Sequence, residues 1–414
     1  MRPVILAVDV GGTKMAAGLV ADDGTVVTSR RVATPQGADA ETLWRTLTGL
    51  IDLLPGPVDG VGVGCGGPMT WPDGEVSPLN MPGWRGFPLR ARLAARFPGL
   101  PVRVHNDAVC LALAEHWKGA GQGTADMLGM VVSTGVGGGL ILGGRLVNGP
   151  TGNAGHIGHV VVEPYGGPRC ACGAHGCLEA IARGPALATW ALAEGWHPHT
   201  VPPSAAPRTA HPSAPGTAHP GTPGIADPGE PARDQVRAPV PSAVTVPPAD
   251  TVPPADTVPP STTTTVLPAA APPYRDPGVR TGHADARPYP DEGRRAGYDE
   301  DVAYDEDRAV TARQLAADAR AGDEIALRAM RRAGRAIGIA IASTTHLCDL
   351  DLVTIGGGLS QAGEPLFGPL EEALREHSRM GFARRVKVVP AALGQEAGLV
   401  GAAALLNPEI PWPS

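Results

Sequence analysis

Three times in this chain an apolar, β-branched run ends in a cluster of glycines, and that recurrence constrains the fold more than any other feature. Val4 to Val10 leads into Gly11, Gly12 and Thr13 and is followed by a second apolar run, Met15 to Val20. Met130 to Ser133 leads into TGVGGG, Thr134 to Gly139, with LILGG as the returning strand. Leu352 to Ile355 leads into Gly356, Gly357 and Gly358, ahead of a helix expected from about Glu364. Glycine removes the side chain at a strand end, so backbone N–H groups can approach phosphate oxygens. Three such transitions, in two halves flanking a cleft, are what a nucleotide held between two domains requires. Asp9, near the end of the first strand, is placed to hold a hydrated magnesium, and Thr13 adds a hydroxyl. The pattern is not a P-loop, since GxxxxGK[ST] does not occur, nor a dinucleotide fingerprint in a βαβ setting.

A second constraint lies between His159 and Cys177, where the chain reads HVVVEPYGGPRCACGAHGC. His159, Cys170, Cys172 and Cys177 make a Cys3His set for a tetrahedral zinc, and the YGGPR and GAHG stretches supply turns that let the sulfurs converge. Four protein ligands leave no open position for water. The expected zinc is therefore structural, folding a loop and orienting His159 and the nearby Glu179. Cys65, Cys110 and Cys348 sit in apolar contexts and are expected to be inert packing residues.

The chain has 414 residues, but its pattern is interrupted from about His199 to Asp307 by a stretch rich in Pro, Ala, Thr, Asp and Gly. Within it the hexapeptide TVPPAD runs in tandem from Thr245 to Asp256 and begins again at Thr257. Such a segment cannot bury enough apolar side chain to offset its chain entropy, so a disordered, partly polyproline insertion is expected. The remaining roughly 300 residues suffice for two domains with real cores. The division expected is 1–118 for an N-terminal α/β domain, 119–198 with 308–395 for a larger one, 199–307 for the insertion and 396–414 for a C-terminal helix and tail. A net charge of −7 without a basic cluster argues against nucleic acid as a partner. No apolar run approaches the roughly 20 residues of a membrane span. Thiolate ligands without a disulfide framework fit a cytoplasmic enzyme.

Ahead of the second half lies PVRVHNDAVCLALAEHWKG, a short strand from Val102 to His105, then Asn106 and Asp107, then a periodic helix to about Lys118. Asn106 or Asp107 can cap that helix. A carboxylate at this strand-to-helix junction can equally take the proton from a substrate hydroxyl as it attacks a γ-phosphorus, with Asn106 orienting a neighbouring hydroxyl.

DVGGTK, HNDA, STGVGGG, GNAGHIGH and CACGAHGCLE occur in that order. Together they resemble the ROK family of sugar kinases and repressors, of the two-domain actin and hexokinase-like ATPase fold, over nearly the whole chain except the insertion. The resemblance implies an ATP- and magnesium-dependent kinase that phosphorylates the 6-hydroxyl of a hexose. On matching positions it implies Asp107 as general base, Asn106 and Glu179 as sugar ligands, His159 as both sugar contact and zinc ligand, and Gly66 and Gly67 as the sugar-side loop. Asp9, Gly11, Gly12 and Thr13 match the first phosphate loop, Thr134, Gly135 and Gly137 the second, and Gly356, Gly357 and Gly358 the nucleotide-side glycines. One position departs from the pattern: His156 stands where most members carry glutamate. A carboxylate accepts hydrogen bonds from sugar hydroxyls, whereas an imidazole donates one and accepts one. The AGHIGH and VSTGVGGG segments resemble the branch that phosphorylates N-acetylmannosamine, with glucose as the alternative substrate. A repressor of this family would carry a helix-turn-helix before the first strand, which here starts at Val4. A silent sugar sensor is opposed by the presence of Asp107 and all three glycine loops. The resemblance also implies a homo-oligomer, a dimer or tetramer.

Overall fold

The computed structural model describes residues 3–198, 312–408 and 410, which form two five-stranded sheets with their helices. The expected insertion, 199–307, lies outside the described residues.

The first sheet is built from β1 (Val4–Val10), β2 (Lys14–Ala21), β3 (Val26–Ala33), β4 (Gly60–Cys65) and β5 (Val102–Asn106), in the order β3-β2-β1-β4-β5. β1, β2 and β3 form an antiparallel meander, and β1, β4 and β5 run parallel. The parallel crossovers pass through α1 (Ala40–Ile51) and α2 (Leu89–Arg96). α1 starts where the Asp39 carboxylate accepts the Thr42 N–H at 2.7 Å, and it buries the stripe Leu43, Leu47, Leu50 and Ile51.

α3 (Asp107–Lys118) then leads to a second sheet of the same plan. Its strands are β6 (Met127–Val132), β7 (Val136–Leu142), β8 (Arg145–Val147), β9 (Leu352–Gly356) and β10 (Lys387–Pro390), ordered β10-β9-β6-β7-β8. Here too the first three strands are antiparallel, and β6, β9 and β10 are parallel. The helices α4 (Leu178–Ala182), α5 (Gly184–Ala193), α6 (Ala312–Arg320), α7 (Glu324–Cys348), α8 (Glu364–His377) and α9 (Ala397–Ala404) complete the described chain. Trp196, 1% exposed, donates its indole N–H to Asp318 at 3.0 Å, joining the segment after α5 to α6. No helix among the described residues is long and apolar enough to cross a membrane.

The glycines of the second cluster lie elsewhere than the sequence suggests. The turn is only Ser133–Gly135, and Gly137, Gly138 and Gly139 belong to β7, paired with Val131, Met130 and Gly129. A Cβ at Gly137 would come within 2.8 Å of the Ala108 methyl, and one at Gly139 within 2.8 Å of the Val109 backbone. These two positions are bare because α3 packs directly on the strand. The same device seats α9 on the first sheet and on α3: a Cβ at Gly62 in β4 would strike the Ala402 carbonyl, and one at Gly401 the Cys110 carbonyl of α3. The C-terminal segment thus lays α9 across β1, β4 and α3.

Candidate active site

The end of β5 and the start of α3 carry the central group. Asn106 is the N-cap of α3, its Oδ1 accepting the Ala108 N–H at 2.9 Å, so the capping expectation holds for this residue. Asp107 Oδ1 shares that N–H at 2.8 Å. Burial first, then the charge of Asp9, raises the Asp107 carboxyl to about 6. Its ordinary value lies near 4. At neutral pH this group is ionised and sits close to the range in which a general base works best.

Asp9 lies in β1, paired across the sheet with Ala16 and Gly64. Burial raises its carboxyl, and the charges of Lys14 and Arg31 oppose that rise. The first glycine turn is held by residues that the sequence pattern does not flag. The Thr34 hydroxyl donates to the Gly11 carbonyl at 2.7 Å, and the Gln36 amide donates to the Gly12 carbonyl at 2.8 Å. Fixing both carbonyls fixes the peptide planes of the loop. Asn80 is a third such residue: its side chain packs against the α-carbon of Gly12, with Oδ1 3.7 Å from where a Gly66 Cβ would lie. All three act across a gap in sequence, so no local motif announces them.

Gly67 sits opposite the junction. A Cβ there would lie 2.9 Å from Asn106 Nδ2 and 3.0 Å from the His156 ring, so Asn106, Gly67 and His156 share one small space. Burial first, then the neighbouring His159, lowers the His156 imidazole below its usual value and keeps it neutral at pH 7. Its Nε2 is buried without a hydrogen-bond partner among the described residues. Glu179, on α4, accepts the Val136 N–H at 2.9 Å, which ties this carboxylate to the Thr134–Gly135 turn. Of the third cluster, Gly356 ends β9, and Gly357, at φ 93°, turns the chain where a side chain would meet the Val132 carbonyl. Gly358 opens a short 3-10 turn to Ala362.

His159, Cys170, Cys172 and Cys177 come together with all four donor atoms within 4.8 Å of one another. The Cys170 sulfur is 3.6 Å from His159 Nδ1, and the Cys172 and Cys177 sulfurs are 3.8 Å apart. A tetrahedral zinc with ordinary bond lengths places its sulfurs about 3.8 Å apart and a sulfur and nitrogen about 3.6 Å apart, so the donor set fits that ion. Outside the cluster, burial pushes the Cys65, Cys110 and Cys348 thiols up, in keeping with unreactive packing.

Two sheets of one repeated plan, with glycine turns from both and a half-buried carboxylate at the helix between them, define an α/β architecture of the actin and hexokinase-like type. The ROK family model matches residues 5–218 and 295–409, and the chain belongs to the ROK family. It is similar to the glucokinase of Thermotoga maritima, 28% identical over 410 residues covering 98% of each chain. It is also similar to the N-acetylmannosamine kinase of Shigella flexneri, 41% identical over 193 residues, which are 46% of this chain and 65% of that protein. Among solved structures, a ROK family glucokinase from Streptomyces griseus in complex with glucose and AMPPNP is 27% identical, with a TM-score of 0.64 over 97% of this chain and 98% of that one.

Proposed function

We propose that the chain is an ATP- and magnesium-dependent kinase that transfers the γ-phosphoryl group to the 6-hydroxyl of a hexose or N-acylhexosamine, with N-acetylmannosamine as the preferred substrate. The observation that carries this reading is Asp107: a carboxyl raised to about 6, at a strand-to-helix junction, beside Asn106 and within reach of the charges of Asp9 and Glu179. In this role Asp107 takes the proton of the attacking hydroxyl. Asn106 Nδ2 and the Glu179 carboxylate bond the sugar. Asp9 would hold the magnesium that neutralises phosphate charge when ATP is bound. Gly11, Gly12 and Thr13, then Thr134, Gly135 and Gly137, then Gly356, Gly357 and Gly358 would line the nucleotide. Gly137 contributes through backbone proximity within β7. Zinc on His159, Cys170, Cys172 and Cys177 would fix the loop that ends at Glu179, and His159 would face the sugar with its remaining ring edge.

His156 favours the amino sugar over glucose. A neutral imidazole offers one donor and one acceptor to an acyl amide, where a carboxylate offers acceptors only to hydroxyls. The likeness to the N-acetylmannosamine kinase supports this reading, and the likeness to two glucokinases supports glucose as the second. A coupled ADP-release assay with ATP and a panel of hexoses tests both. N-acetylmannosamine is expected to give the highest kcat/KM, and His156→Glu is expected to shift the preference toward glucose by about 1 to 3 kcal/mol, the cost of one unpaired buried polar contact. Equal selectivity in the two proteins would leave glucose as the better assignment, and no sugar-dependent turnover at all would favour a sensor.

A further inference from the structure

The loop after β8 meets the loop after β4 and the end of β5, beside the Asn106–Asp107 junction, through three contacts. Asn153 clamps the main chain of Met69, accepting its N–H at 3.1 Å and donating to its carbonyl at 2.8 Å. Gly152 lies under Trp71, where a Cβ would be 2.8 Å from that of the tryptophan. His105, 1% exposed in β5, reaches Asn148 Oδ1 with its Nε2 at 2.6 Å.

His105 differs from the other two because it also touches the junction itself. Its Nδ1 accepts the Asn106 N–H at 2.8 Å. That nitrogen therefore carries no proton, the ring hydrogen sits on Nε2, and Nε2 donates to Asn148. One neutral tautomer satisfies both bonds, and the Trp71 ring packs on the imidazole with centroids 5.6 Å apart. Asn148 passes the connection on, its carbonyl accepting the Ala154 N–H at 3.2 Å, two residues before His156. A continuous path thus runs from Asp107 through Asn106, His105, Asn148 and Ala154 to His156. A packing residue at the end of β5 needs none of this. Valine or phenylalanine fills such a site, whereas an acceptor near the backbone combined with a donor at the far edge is what a neutral imidazole supplies.

We propose that His105 is a positioning residue that fixes the Asn106–Asp107 junction against the 148–156 loop, so that the carboxylate and the His156 ring keep one spacing. The role assigned here to Asp107 and His156 is that of the preceding section, and the proposal rests on it. Asparagine at 105 reproduces the near acceptor and glutamine the far donor, so the two variants separate the two bonds.

The experiment compares the full-length chain with His105→Asn, His105→Gln, Asn148→Ala and the double variant His105→Asn/Asn148→Ala, by steady-state kinetics and by backbone amide exchange. Misplacement of reacting groups by an ångström costs on the order of 100-fold, so His105→Asn and Asn148→Ala are each expected to lower kcat by about 10- to 100-fold. The KM for ATP should stay within about twofold, because the phosphate loops are not on this path. The double variant should lose no more than the worse single one, and His105→Gln should recover part of the loss. Additive losses, wild-type kcat in His105→Asn, or a fall in thermal midpoint with unchanged turnover of the folded protein would overturn the proposal. Amide exchange answers independently of chemistry. Faster exchange in both 106–108 and 148–156 upon His105→Asn supports the coupling, and unchanged exchange in 148–156 refutes it. If the unaltered chain turns over no sugar, the kinase reading falls while the exchange result still decides the coupling.

Discussion

Replacing Asp107 by asparagine keeps an acceptor oxygen for the Ala108 N–H, bonded at 2.8 Å in the wild type, and removes a charge that the fold holds against its preference. The folded protein binds the Asp107 proton more tightly than the unfolded chain does, because burial moves the carboxyl from its ordinary value near 4 to about 6. The penalty for ionising it is therefore absent below about pH 4, develops as pH rises between the two values, and is constant above about pH 7. A shift of that size corresponds to a ceiling of about 3 kcal/mol, and water reaching this half-buried side chain reduces it to about 1 to 2 kcal/mol. Asp107→Asn is thus expected to raise the thermal midpoint at pH 8 by about 2 to 5 °C and to give no gain at pH 4. The same substitution removes the proton acceptor, so turnover should fall by about 10²- to 10⁴-fold. Wild-type kcat/KM should itself decline about tenfold per unit below a midpoint near pH 6, the ionisation of the free protein. Thermal scans from pH 4 to 8 and the coupled assay measure both effects. A variant no more stable than wild type at pH 8, or one that turns over normally, would refute the reasoning.

The zinc reading predicts about one zinc per chain by elemental analysis, with Cys177→Ser losing the metal and lowering the thermal midpoint, since structural zinc contributes folding free energy; a metal-free wild type of normal stability would refute it. Deleting 199–311 through a Gly/Ser linker is expected to leave activity and thermal midpoint unchanged, provided the cut spares Trp196, whose indole is buried against Asp318. Carrying the deletion back to Glu194 should instead cost about 3 to 5 kcal/mol, the loss typical of a core tryptophan, and urea unfolding of the two deletions distinguishes them. Gly401→Ala should destabilise by at least about 2 kcal/mol, because its Cβ meets the Cys110 backbone rather than a movable side chain, and the same unfolding curve measures it.

What the sequence disclosed is what local pattern encodes. The β1 run, the junction of β5 with α3 and the Cys3His spacing each lie within one short segment, so periodicity and ligand spacing were enough to place them. The second glycine cluster is placed by the same local pattern, but its form, a short turn running into β7, is not. Whether Gly137 and Gly139 serve a loop or a strand depends on α3, which packs on them from a distant part of the sequence. Thr34, Gln36, Asn80 and His105 were illegible for the same reason. Each is an ordinary polar residue until the fold brings Gly11, Gly12, Gly66 or Asn148 to its side.

α9 gives the chain an order of assembly. Ala7, Ala16 and Val20 from the first strands, buried with Leu399, Ala402 and Ala403, form a core patch of their own. On a ribosome the opening strands leave the exit tunnel nearly 400 residues before the helix that covers them. Until then one face of the first sheet has no lid, and a nascent chain halted before Ala397 would display it to chaperones and proteases. A stop codon a few positions upstream of α9 would therefore disable the half of the molecule that was made first.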